Sequence, residues 1–143
     1  MKMRILPGLF FLILLLSACA SSGNRQVYSD RELAGVRLTI THTENGVLYY
    51  KLETSESAGL LTTGNGQDAI LERWEGNEWR QMPQKDDFAW TMEAYGVSPQ
   101  NPWEGSLSME RKYGNLRSGR YRLIKQFTAA GGKYSAKAEF DRE

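Results

Sequence analysis

From Val36 onward, apolar residues recur at every second position, and no segment carries a helical stripe of useful length. In VRLTITH, Val36, Leu38, Ile40 and His42 fall on one face, with Arg37, Thr39 and Thr41 opposite. RYRLIKQF sets Tyr121, Leu123, Lys125 and Phe127 against Arg120, Arg122, Ile124 and Gln126. KYSAKAEF likewise sets Tyr134, Ala136, Ala138 and Phe140 against polar residues. Alternation of this kind commits a chain to half-buried strands, because successive side chains in a strand point to opposite faces. VLYYKLET, AILERWEGNEWRQM, FAWTMEAY (through Phe88, Trp90 and Met92) and GSLSMER continue the series. Turn signals divide it: Asn45-Gly46, Gly76-Asn77 and the glycine-containing TAAGG. About seven short strands separated by such turns predict an all-β fold, an antiparallel sandwich or barrel. There is no internal repeat and no low-complexity run.

The N-terminus has a different character. Lys2 and Arg4 precede the apolar run from Leu6 to Leu16, and small residues follow in SACASSG, which is the layout of a secretion signal. The run is shorter than the roughly 20 residues of a spanning helix and contains Pro7 and Gly8. Leu16-Ser17-Ala18-Cys19 resembles the lipobox of bacterial lipoproteins. That resemblance implies cleavage before Cys19, a diacylglyceryl group on its sulfur, and a membrane held through that lipid. The implied location is extracytoplasmic: the outer face of the cell membrane, or an outer membrane if the host has one. Removing 18 of the 143 residues leaves 125, enough for one domain with its own core. The organisation expected is a signal over 1–18, a flexible polar tether over 19–32, and one β-domain over 33–143. Cys19 is the single cysteine, so its acylation leaves no thiol for a disulfide.

YGNLRSGRYRL places Leu116, Gly119 and Tyr121 at the entry of a strand. In immunoglobulin-like sandwiches a tyrosine at such a corner bonds back to the backbone, and in antibody domains a disulfide cysteine lies two residues further on. Here that position is Leu123. ILERWEGNEWRQMP, KYGNLRSGRYRLIKQF and YSAKAEF, in that order and spacing, resemble a family of bacterial immunoglobulin-like domains found in lipoproteins and other envelope proteins. The resemblance covers about Gly35 to Phe140. It implies an immunoglobulin-like sandwich without a disulfide, and it carries no general catalytic role.

Candidate chemistry is sparse. A Ser or Cys nucleophile needs an oriented base, and His42 is the single histidine, at the end of a predicted strand. Metal sites want clustered His and Cys ligands, and Asp86-Asp87 has no calcium loop around it, so no metal and no cofactor is expected. TTGNGQD, around Gly64 and Gly66, precedes no helix that could aim amides at a phosphate, and reads as a turn. The basic stretch RKYGNLRSGRYR reads as a solvated strand face, and a mature net charge near −1 argues against a nucleic-acid partner.

The four tryptophans, Trp74, Trp79, Trp90 and Trp103, fall within one third of the chain. Trp74 and Trp79, flanking the second hairpin, are expected to fill the sandwich core. Trp90, Tyr95 and Trp103 border a loop-like stretch and form the candidate binding surface. The function expected is a non-catalytic envelope module binding a protein or envelope polymer. An inhibitor of an envelope protease or other hydrolase is the alternative, and an enzyme with an unrecognised site comes third.

Overall fold

The tight turns close the strand pairs. In the computed structural model, which describes residues 25–64, 69–85 and 93–143, Asn45 and Gly46 have φ of 49° and 75°. Gly76 and Asn77 have 57° and 68°, and Ala130 and Gly131 have 46° and 77°. Paired positive φ is what a type I′ hairpin turn requires, and its twist matches that of the flanking strands. These turns join β1 (Val36–Glu44) to β2 (Val47–Thr54), β4 (Ala69–Glu75) to β5 (Glu78–Gln81), and β8 (Gly119–Ala129) to β9 (Gly132–Arg142). Three shorter strands, β3 (Leu61–Gly64), β6 (Ala94–Val97) and β7 (Trp103–Ser108), and one helical turn, α1 (Met109–Tyr113), complete the described elements.

All the strand pairings are antiparallel, in two sheets. The first has the order β1-β2-β7. The second runs β5-β4-β8-β3-β6, with β9 also paired to β8. β8 is the spine of the second sheet: β9 follows its full length on one side, while β4 and β3 share the other side end to end. The inward faces of both sheets supply the core, from Leu38, Leu48, Tyr50, Leu52, Leu71, Tyr121, Leu123 and Phe127. The molecule is an antiparallel β-sandwich with no disulfide.

Two expectations change at this level, and a third falls on residues outside those described. GSLSMER is a strand only to Ser108; Met109 to Tyr113 turn as a helix and bury Met109 and Lys112. The start of FAWTMEAY, including Trp90, lies outside the described residues, as do Asp86, Asp87, Gly66 and Cys19; β6 begins at Ala94. His42 does not share a face with Ile40. Ile40 lies opposite Tyr50 and His42 opposite Tyr49, so Thr41 is an extra residue in the ladder. A bulge of this kind moves everything after it to the other face. His42 therefore stacks on the ring of Tyr49, centroids 4.3 Å apart, outside the sandwich.

Residues 26–32, within the segment read as tether, run over the outer face of the second sheet. The Gln26 backbone N–H donates to Gln81 Oε1 at 2.6 Å, and Gln81 Nε2 donates back to the Gln26 carbonyl at 3.0 Å. Tyr28 Oη donates to Glu72 Oε1 at 2.9 Å, and the Ser135 N–H donates to the Arg31 carbonyl at 2.9 Å. The chain thus crosses from β5 over β4 to β9. Ile70 and Ile124, which face outward between those points, are buried.

Candidate functional site

Tyr95 and Trp103 come together where the two sheets meet. β6 closes one end of the second sheet's strand order and β7 one edge of the first sheet, and their rings stand 5.9 Å apart, centroid to centroid. Trp103 also packs against Tyr50 at 5.5 Å, and Lys125 Nζ lies 4.6 Å from the centre of its ring. A Cβ on Gly105 would come within 2.2 Å of the Trp103 indole and 2.9 Å of the Tyr50 ring. The missing side chain at Gly105 is what lets the indole lie back over its own strand. Trp103 is therefore half-buried against the core. The Tyr95 hydroxyl donates to Glu93, which raises its pKa.

Behind the seam lie two fully buried lysines. Lys125, on the inward face of β8 as its spacing predicts, donates to the Gly64 carbonyl at 2.6 Å. Lys112, from α1, donates to the Ala69 carbonyl, also at 2.6 Å. The two carbonyls belong to the last residue of β3 and the first of β4, and a buried carbonyl oxygen needs a donor. Burial, helped by the charge of Lys125, lowers the pKa of Lys112 to about 7. A half-neutral amine near neutral pH has nucleophilic character, but this one is enclosed and committed to a carbonyl. Its geometry is that of a structural clamp.

A family model described as a bacterial Ig-like domain matches residues 32–141, which include both sheets and the seam. The chain belongs to this family. No curated protein matches it.

In this Ig-like domain, Leu116, Gly119 and Tyr121 sit at the entry to β8. Leu116 is buried, Gly119 takes a positive φ of 152°, and the buried Tyr121 donates from Oη to the Arg117 carbonyl at 2.6 Å. Burial raises the pKa of Tyr121. The hydroxyl ties the incoming loop to the first turn of pleat in β8 and so fixes how the chain enters the second sheet.

The tryptophans of the second hairpin are not where the sequence predicts. Trp74 and Trp79 lie opposite each other in the β4–β5 ladder, on the outer face of the Ig-like domain rather than in its core. Their rings meet edge to face at 5.1 Å, and Trp74 is 38% exposed. Leu71 points inward on β4, so the pleat sends Glu72 to one face and Arg73 to the other, and Trp74 outward with Glu72. Arg122 lies 4.6 Å from the centre of the Trp79 ring, and Arg120 spans both rings at 5.9 and 5.6 Å. Arg122 is itself held by Glu72 at 2.5 Å, and Arg120 by Glu139. The basic stretch around β8 is thus partly sequestered in ion pairs instead of being a uniformly solvated face. Among the described residues there is no cluster of three metal-binding side chains, and no helix long and apolar enough to cross a membrane.

Proposed function

We propose that this Ig-like domain is a non-catalytic interaction module of the bacterial envelope, held outside the cytoplasm by lipid on Cys19. The observation that carries this reading is the order of two features along the chain: Leu16-Ser17-Ala18-Cys19 at the end of an apolar run, then a family match from residue 32. Two or three acyl chains anchor a protein stably where one alone does not. The partner is a protein or an envelope polymer. It docks at the seam, where Tyr95 and the half-buried Trp103 are offered by neighbouring strands of the sandwich. Aromatic side chains on a fixed scaffold give large contact area at low entropic cost.

The test is fractionation of cells producing the wild type and Cys19→Ser. The wild type sediments with membranes, and Cys19→Ser appears in the soluble extracytoplasmic fraction or accumulates unprocessed. Normal cleavage with unchanged membrane retention in the variant would contradict the anchor.

A further inference from the structure

The Trp74–Trp79 pair stands beside the point where the chain leaves the sandwich towards Cys19. Gln26 is pinned to Gln81, two residues along β5 from Trp79, and Arg25 lines the same groove as Trp79 and Arg80. Only residues 19–24 separate Arg25 from the anchor side, and six extended residues reach no further than about 20 Å. A domain tied this closely cannot turn freely over a bilayer. The face that carries the exit point must stay within that reach of the headgroups.

That face is suited to its neighbour. Tryptophan concentrates at the membrane–water interface, where an apolar ring and a polar N–H meet both phases. Trp74 is exposed on a sheet face, and the guanidinium groups of Arg120 and Arg122 lie over the rings of the pair while held by Glu139 and Glu72. Because Arg80, Arg120 and Arg122 are each already paired with a glutamate, most of the charge is spent within the protein. The contact is therefore aromatic in its driving force and only weakly sensitive to salt. We infer that the outer face of the β4–β5 hairpin, through Trp74 and Trp79, seats the domain on the headgroup zone of the bilayer that holds its lipid. This rests on the anchoring of Cys19 proposed above.

The lipidated full chain is tested in vesicles of phosphatidylethanolamine and phosphatidylglycerol, carrying Trp90→Phe and Trp103→Phe so that only Trp74 and Trp79 emit. If the pair sits at the interface, where tryptophan concentrates, brominated lipid should cut that emission by roughly twofold or more. A second measurement avoids the tryptophan substitutions. A nitroxide on Glu78→Cys, beside the pair, should be shielded from a water-soluble relaxant when the protein is vesicle-bound, while one on the exposed Leu60→Cys should not. If the protein sediments with vesicles but bromine leaves emission unchanged and both nitroxides are equally accessible, the anchor stands and the seating is wrong. The same result, with shielding of Glu78→Cys only at high protein density, would assign the face to a second copy of the chain. If the lipid-bearing protein fails to sediment at all, the anchoring itself falls, and this inference falls with it.

Discussion

Tyr121 places its ring in the core and its hydroxyl on the Arg117 carbonyl, so the two ends of one side chain serve packing and chain direction separately. Tyr121→Phe keeps the ring and strands the carbonyl. The expected loss is about 1–2 kcal/mol, read as a lower urea midpoint with an unchanged slope. Lys112 makes stability depend on pH. Its ordinary pKa of 10.5 falls to about 7 through burial first and the charge of Lys125 second. Between those values the unfolded chain holds a proton that the native chain has shed, so stability rises with pH across that window. Tyr28 acts in the opposite sense above its ordinary value of 10.0. Burial first, then its hydrogen bond to Glu72, raises it to about 12. The unfolded chain then loses its proton before the native chain does, and stability falls. Urea midpoints measured from pH 6 to 11 should peak near about pH 10, and Lys112→Met should flatten the rising limb.

At the scale of elements, the segment 26–32 carries a clear expectation. Two otherwise identical unlipidated chains, one beginning at residue 20 and one at residue 33, differ by the Gln26, Tyr28 and Arg31 hydrogen bonds and by the cover over Glu72. The shorter chain should be less stable by at least about 2 kcal/mol, since the nearly buried Glu72 loses a donor as well. Equal stability would return residues 26–32 to the tether. The sequence could not reveal this crossing, because it is made by single polar atoms with no apolar period. Val27, the one aliphatic residue there, is 95% exposed.

Hairpins and faces were legible for the opposite reason. Asn45-Gly46 and Gly76-Asn77 announce their turns chemically, and Tyr121, Leu123, Lys125 and Phe127 alternate without interruption through a long central strand. Where the pleat is interrupted, the pattern misleads. The extra residue at Thr41 sends His42 outward, and in a short edge hairpin composition alone could not tell which face Trp74 and Trp79 would take. Within the binding stretch, the meeting of Tyr95 and Trp103 depends on two sheets packing together, which no local pattern encodes.

For the molecule as a whole, the N-terminal crossing and the outer-face tryptophans of the Ig-like sandwich would lie on the side nearest the proposed anchor at Cys19, leaving the Tyr95–Trp103 seam for the proposed partner. That orientation depends on where the mature chain begins and what its first residue carries. Intact-mass spectrometry of the protein extracted from membranes of its own host reads both at once. The predicted mass is that of residues 19–143 with a diacylglyceryl group on Cys19, with or without a further acyl chain on its amine. A mature chain that begins elsewhere, or begins at Cys19 with no added lipid, would contradict the account.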